Sequence, residues 1–224
     1  MNPDKVCVCI PTLNEESSVE EVVYNVRESG YDNILVIDGG SDDNTQELAS
    51  KAGAEVHQQE WDGEKGAAMR EAFSVTNEEV VVFLDGDGTY EPAHIDRLVS
   101  PIFEDGYDHV IGSRFADMKD DAMSPSHRIG NKGINLIFRV LYRENLHDIL
   151  SGFRAVKRDA YEEMELNSTG FDIETELAAL SVKRGHSVLV TPTSYYDRKG
   201  ESKLEGFSDG FKIVKRMVKS LRSQ

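Results

Sequence analysis

Val80-Val81-Val82-Phe83-Leu84-Asp85-Gly86-Asp87 is a short apolar run ending in two carboxylates that flank one glycine. A run of this length, rich in β-branched residues, predicts a fully buried strand of a parallel sheet. Side chains alternate along a strand, so Asp85 and Asp87 are expected to point the same way as the chain leaves the sheet. Two adjacent carboxylates repel unless a cation sits between them, and oxygen ligands at this density suit Mg²⁺ or Mn²⁺. Mg²⁺ held by one or two carboxylates keeps its other positions for water and phosphate, so a diphosphate-bearing substrate is the first expectation. Alone, Asp-Gly-Asp would more simply be a solvated turn. The rest of the chain decides against that.

Upstream and downstream of this stretch, strand and helix patterns alternate. Strands are expected at 6–10, 33–38, 54–57, 79–85 and 109–113. Helices are expected at 17–29, with Val19, Val22, Val23 and Val26 on one face, at 43–52 with Gly53 as stop, at 65–75, and at 92–103 with Pro92 in its first turn. The alternation predicts βαβ units and an α/β fold: a mostly parallel, doubly wound sheet flanked by helices, in a single domain. The segment 115–126 is the expected mobile loop. Ligands of such sheets bind beyond the carboxyl ends of the strands, where three polar clusters fall: Pro11-Thr12-Leu13-Asn14-Glu15, Asp38-Gly39-Gly40-Ser41 and Asp85-Gly86-Asp87. Neither GxGxxG nor GxxxxGK[ST] occurs, which disfavours a dinucleotide dehydrogenase and a P-loop hydrolase.

The 224 residues carry a formal net charge of −16. No basic surface dominates, which argues against nucleic acid as a partner. The acidic surplus fits a protein kept soluble in high salt, and a salt-loving archaeal source is the corresponding expectation. There is no signal-peptide pattern and no membrane-spanning run, so a cytoplasmic location is expected. Cys7 and Cys9 alternate within the first strand and should face one side of the core, without a metal or redox role.

The ordered motifs P-T-L-N-E at 11–15, D-G-G-S-D at 38–42, G-E-K-G at 63–66 and D-G-D at 85–87 resemble the nucleotide-sugar-binding half of family 2 glycosyltransferases of GT-A fold. G-S-R at 112–114, the stretch 128–135, D-I-L-S-G-F-R-A at 148–155, G-F-D-I-E-T-E-L at 170–177 and R-K-G-E-S-K at 198–203 resemble dolichyl-phosphate hexosyl synthases, archaeal ones above all. The resemblance covers nearly the whole chain. It implies a nucleotide-sugar half, 1–113, and an acceptor half, 114–224. It departs from the family at Gly39, where a second Asp is common, and at Thr89, which leaves open whether Thr89 is a third metal ligand. Many relatives carry C-terminal membrane spans, so this chain is expected to reach its lipid from the surface.

The resemblance implies metal-dependent, inverting transfer of a hexose from a nucleotide sugar to dolichyl or polyprenyl phosphate, in N-glycosylation. Glucose from a UDP-hexose is the first choice and mannose from a GDP-hexose the second. Pro11, Asn14, Glu15 and Asp38 would cradle the nucleoside; capping the following helix is the commoner role of an Asp placed like Asp38, and one role does not exclude the other. Lys65 would approach the base or ribose, or stand exposed near its helix N-terminus. Asp85, Gly86 and Asp87 would form the diphosphate site, with Asp85 and Asp87 on Mg²⁺ or Mn²⁺ and Asp87 the more direct ligand. Arg114 and Arg128, with Asn131 nearby, would hold the lipid phosphate. Glu174 would bond sugar hydroxyls, and Asp148 would orient Arg154 or the sugar. Arg198, Ser202 and Lys203 would fold over the diphosphate from a loop that excludes water. A phosphate acceptor is already ionised and needs no general base. A glycosyltransferase with a hydroxyl acceptor would need one, and Asp148 is its candidate. A nucleotidyltransferase would carry a Gly-rich basic loop where P-T-L-N-E stands.

Two segments depart from the acidic rule. Residues 128–143 and 211–222 interleave apolar side chains with Arg and Lys. In the second, Val214, Met217, Val218 and Leu221 share a helical face, the pattern of a helix lying on an anionic membrane surface. Peripheral attachment to the inner face of the cell membrane is the expectation; packing on the sheet is the commoner fate of such stripes.

Overall fold

In a computed structural model the protein is described over residues 2–118, 123–198 and 206–222. The first half alternates as the pattern predicts: β1 (Val6–Thr12), α1 (Val19–Glu28), β2 (Ile34–Asp38), α2 (Thr45–Ala52), β3 (Glu55–Gln58), α3 (Lys65–Val75), β4 (Val80–Phe83) and α4 (Ile95–Asp105). Residues 92–94, expected to open α4, form a separate 3-10 turn. β5 (His109–Met118), α5 (Pro125–Tyr142), β6 (Arg154–Lys157), α6 (Arg158–Glu162), α7 (Ile173–Arg184), β7 (Val188–Tyr195) and α8 (Gly206–Arg222) complete the described chain. Half of the expected mobile loop is therefore regular: its first residues extend β5, where Asp117 and Met118 pair with Ser194 and Tyr195, and its last open α5. Residues 119–122 lie outside the described residues.

The seven strands lie in the order β3-β2-β1-β4-β6-β5-β7. β6 runs antiparallel to both β4 and β5, and the other pairs are parallel, so one strand opposes six. Strands β6 and β7 are additions to the sequence-based expectation. Alternation along β1 divides the core. Val6, Val8 and Ile10 pack on one face with Val19, Val22, Val23 and Val26 of α1 and with α4. Cys7 and Cys9 pack on the other, against α3 and α7. Burial pushes the Cys7 thiol up to about 12 and raises Cys9 as well, so both are inert apolar side chains. A third cluster joins Phe138 of α5, Ala178 and Ala179 of α7, and Ile213 and Met217 of α8. The chain leaves β1 for β2 and β3, then returns to β4 on the other side of β1. That reversal places the loops after β1, β2 and β4 on one rim, where such folds bind ligands.

Candidate active site

The loops after β1 and β2 are stitched to each other. Asn14 adopts φ 52°, a left-handed conformation that Asn tolerates, and its N–H donates to Ser41 Oγ at 2.8 Å. Its Oδ1 accepts from Asp42 N at 3.0 Å, and Glu15 N–H donates to Thr45 Oγ1 at 2.8 Å. Pro11 sits in β1 opposite Ile37, so Pro11, Asn14, Glu15 and Asp38 do share one rim. Asp38, however, is fully buried. Its carboxylate accepts from Thr12 Oγ1 (3.1 Å), Gly40 N (3.1 Å), Ser41 N (2.8 Å), Ser41 Oγ (2.5 Å) and Gln46 Nε2 (2.8 Å). Five donors occupy its two oxygens, so Asp38 shapes the loop and no longer offers an oxygen to base or ribose. Nor does it cap α2, whose N-cap is Asn44.

Beyond β4 the chain passes close under β1. A Cβ on Gly86 would lie 3.0 Å from Thr12 Cγ2, and the Gly86 carbonyl accepts from Ser18 Oγ at 2.8 Å. Any larger residue there would crowd the Thr12 methyl. The two flanking carboxylates do not face one shared cation; each has its own side-chain partner. Lys65 Nζ lies 2.5 Å from Asp85 Oδ1 and 2.8 Å from Glu174 Oε1, bridging them. Burial disfavours both charges, but the attraction between them prevails, lowering Asp85 and raising Lys65 from their ordinary values. A Cβ on Gly152 would meet this pair at 2.6–2.8 Å, so the backbone of 151–152 lies directly against it.

Asp87 Oδ1 accepts from Thr89 N (3.0 Å) and Thr89 Oγ1 (2.7 Å), which commits the Thr89 hydroxyl to Asp87. Asp87 Oδ2 lies 2.5 Å from Arg198 Nη2 as an ion pair without hydrogen-bond alignment, and this buried oxygen accepts no hydrogen bond from the described residues. Burial, and then the charge of Asp85, raise the Asp87 carboxyl above its ordinary value. The donor set fits a hard divalent ion. Two carboxylates stand at the end of one strand, one with a buried oxygen that faces a cation and accepts no hydrogen bond from the described residues. No cluster of three or more His, Cys, Asp or Glu occurs among the described residues, so such an ion would take its remaining ligands from substrate and water.

Arg114 stands differently from the expectation. Its Nε and Nη2 reach Asp148 Oδ2 (2.9 Å) and Oδ1 (2.7 Å) in a bidentate pair, its own N–H donates to Oδ2 (2.8 Å), and its guanidinium lies 5.6 Å from the centre of the Tyr195 ring. Asp148 therefore orients Arg114. It does not orient Arg154, whose fully buried guanidinium donates to the carbonyls of Ile149, Ser151 and Glu174. Arg154 lies in β6, where backbone carbonyls take up its donors. Arg128 is exposed in the first turns of α5, and Asn131 Nδ2 donates to Met123 Sδ at 3.3 Å. No described contact joins either residue to the Asp85–Asp87 cluster. Glu176, on the same turn of α7 as Glu174, accepts from Asn167 N and Ser168 N and pairs with Arg216 of α8. Ser202 and Lys203 lie outside the described residues.

Sequence reasoning missed Gly152, Tyr90 and Tyr195 as parts of this site. Tyr90 Oη accepts from Gly152 N at 3.0 Å, and the Tyr90 ring meets Tyr195 edge-on at 5.2 Å. The Ser151-Gly152 pair in the D-I-L-S-G-F-R-A motif was the available signal.

Residues 7–165 match the profile of Glycosyl transferase family 2. The chain belongs to that family. Glycosyltransferase AglJ of Haloferax volcanii is 46% identical over 93% of this chain and 69% of its own length. A dolichyl-phosphate hexose transferase of the same organism is 32% identical over 96% of this chain and 93% of its own. Among solved structures, glucosyl-3-phosphoglycerate synthase from Mycobacterium tuberculosis, in complex with Mn²⁺, UDP-glucose and phosphoglyceric acid, superposes with a TM-score of 0.80. That match covers 96% of this chain and 79% of that one at 21% identity, a likeness of fold. This family 2 protein is accordingly a glycosyltransferase of GT-A fold, as its motifs led us to expect.

Proposed function

We propose that the protein moves a hexose, glucose or else mannose, from a UDP- or GDP-sugar to dolichyl or polyprenyl phosphate, with inversion, for N-glycosylation. The observation that carries this reading is the pairing with cations of the four carboxylates Asp85, Asp87, Asp148 and Glu174. Asp85 and Glu174 face Lys65, Asp87 faces Arg198, and Asp148 is fully buried against Arg114. A hydroxyl acceptor needs a carboxylate free to take its proton. Asp148, the candidate for that task, is bound on both oxygens. An acceptor phosphate is already anionic and asks only for cations, which this site has. Relatives named as dolichyl-phosphate hexose transferase and dolichol-phosphate mannosyltransferase support the same acceptor.

Asp85 and Asp87 would hold Mg²⁺ or Mn²⁺, which supplies Lewis-acid neutralisation of the departing diphosphate. The chain's own residues do the rest. The Asn14–Ser41 stitch and buried Asp38 fix the rim that cradles the nucleoside. Lys65 holds Asp85 and Glu174 in place, so that Glu174 is positioned toward the sugar. Arg198, next to Asp87, would face the leaving group as a cation. Arg128 and Asn131 would receive the acceptor phosphate, and Arg114 orders that wall through Asp148 and Tyr195.

The lipid is met at a membrane surface, peripherally and from the cytoplasmic side. No helix among the described residues is long and apolar enough to cross a membrane. The outer face of α5 supports surface attachment: Ile129 (71% exposed), Leu136 (61%) and Val140 (70%) project outward among Arg128, Lys132, Arg139 and Arg143. The decisive experiment is incubation with dolichyl phosphate and labelled sugar nucleotides, then lipid extraction. Acid-labile lipid-linked hexose is the expected product. Label in a stable glycoside of a sugar hydroxyl would overturn the reading.

A further inference from the structure

The rim beyond β2 and β3 holds a polar group that no role has so far absorbed. Gln59 follows β3 directly, and its backbone N–H donates to Asp38 O at 2.9 Å. Its side-chain Nε2 donates to two carbonyls, Trp61 O at 2.6 Å and Gly63 O at 2.9 Å. An amide nitrogen has two hydrogens, and both are engaged, so the orientation of the amide is fixed and Oε1 must point the other way. It points over Gly39: a Cβ built there would lie 3.6 Å from Oε1 and 3.4 Å from the Thr12 carbonyl. Nothing among the described residues donates to Oε1. The result is an acceptor with a fixed direction above a glycine, on the ligand rim, on a half-buried side chain.

Its place along the sheet says what it meets. The strands run β4, β1, β2, β3 from the carboxylate site outward. Neighbouring strands are about 4.8 Å apart, so Oε1, over Gly39 at the end of β2, stands ~10 Å from the end of β4, on the order of the reach of a nucleoside diphosphate. With the diphosphate at Asp85 and Asp87, the base would lie at Gly39 and Gln59.

We infer that Gln59 is a specificity-determining residue that selects donor nucleotides whose base carries a ring N–H on its pairing edge, as uracil does at N3 and guanine at N1. Such an N–H donates to Oε1. Cytosine at N3 and adenine at N1 present a lone pair there, acceptor against acceptor, and the carbonyls holding Nε2 prevent the amide from turning over to accommodate them. The absence of a side chain at Gly39 is part of the device, because it leaves Oε1 and the Thr12 carbonyl open to the base. This rests on the reading of the protein as a user of nucleoside diphosphate sugars.

The test is calorimetric titration of the whole protein, in Mn²⁺, with UDP, GDP, CDP, ADP and the ring-methylated analogues 3-methyl-UDP and 1-methyl-GDP. UDP or GDP should bind about tenfold or more tightly than CDP and ADP, and methylation of the ring nitrogen should remove that advantage. In Gln59→Leu the ratio of parent to methylated ligand should fall to about one. A merely structural role for Gln59 would weaken both ligands and leave the ratio unchanged. Tightest binding of CDP or ADP, undiminished binding of the methylated analogue, or a ratio that survives in Gln59→Leu would each overturn the assignment. Failure of all four unmodified diphosphates to bind would instead remove the nucleotide-sugar reading itself, and this inference with it.

Discussion

At the residue scale, Asp87 and Asp148 separate chemistry from stability. Asp148 is fully buried and balances a guanidinium that is itself almost buried. Asp148→Ala leaves that charge unpaired, which typically costs about 3–5 kcal/mol. We expect a large fall in melting temperature and loss of the near-UV signal of Tyr195. Asp87→Ala should do the reverse. It leaves Arg198, whose side chain is 29% exposed, able to find water, so thermal unfolding should shift little. Transfer should fall roughly 10²-fold or more, and EDTA should mimic the mutation in the wild type, with Mn²⁺ restoring it. A wild type active in EDTA would end the metal assignment. The thiols give a pH test. Cys7 titrates near 12 when folded, against about 8.5 for a free thiol. The folded state therefore keeps its proton where the unfolded state loses it, and this contribution to stability is complete below pH 8.5 and declines as pH rises above it. Alkylation at pH 8.5 should consequently follow unfolding; labelling of the native protein would contradict the burial. The sequence places both carboxylates at a strand end, which is a local fact about an apolar run and its glycine. It does not say that Lys65 and Arg198 are their partners, because that choice is made by α3 and by the end of β7 arriving on the same rim.

At the scale of elements, α3 was legible to its bounds, since Lys65 to Val75 carries a helical apolar pattern and nothing competes with it. β6 was not, because four residues between a motif loop and the short helix α6 give no periodicity to read. The C-terminal helix is the instructive case. Its sequence offers two overlapping faces, an apolar one through Val214, Met217, Val218 and Leu221 and one through Ile213 and Met217 that ends at the small Ser220. The fold buries the second. Arg216 reaches Asp172 at 2.6 Å and Glu176 at 3.0 Å, Lys183 donates to the carbonyls of Ser220 and Leu221, and Tyr142 Oη donates to Met217 O. Helix α8 thus packs on the fold through the face that includes Met217. Phe211, Val218 and Leu221 stay outside. Truncation after Gly210 should accordingly open the third core cluster, lower the melting temperature, and reduce transfer to membrane-embedded and to short soluble polyprenyl phosphates alike. The surface helix to test is α5. It buries Phe138 and leaves Ile129, Leu136 and Val140 outside, a two-sided apolar pattern. Leu136→Glu with Val140→Glu should weaken binding to anionic vesicles and leave unfolding unchanged. Unaltered vesicle binding would show that this face docks elsewhere.

At the scale of the whole molecule, a net charge of −16 and the outer face of α5 pull against each other. In dilute buffer the acidic surface repels itself, and the charge a folded chain concentrates is partly relieved on unfolding. The Debye length shrinks from about 10 Å at 0.1 M salt to about 3 Å at 1 M, which removes that repulsion while the buried Lys65, Arg114 and Arg216 pairs are screened far less. Surface pairs such as Lys5–Glu79, 55% and 40% exposed, contribute too little for their loss to matter. Melting temperature should therefore rise from dilute buffer to molar KCl, in keeping with relatives from Haloferax volcanii. An anionic leaflet would repel such a protein everywhere except where cations gather, and on α5 they are Arg128, Lys132, Arg139 and Arg143. That attraction is a surface interaction and is screened by the same salt that strengthens the fold. Vesicle binding and thermal stability should thus respond to KCl with opposite signs, binding weakening toward a floor set by the apolar side chains while the melting temperature climbs. Flotation and melting measured across one KCl series test both at once. A flat melting curve would remove the self-repulsion argument, and binding that strengthens with salt would show that the contact is apolar alone.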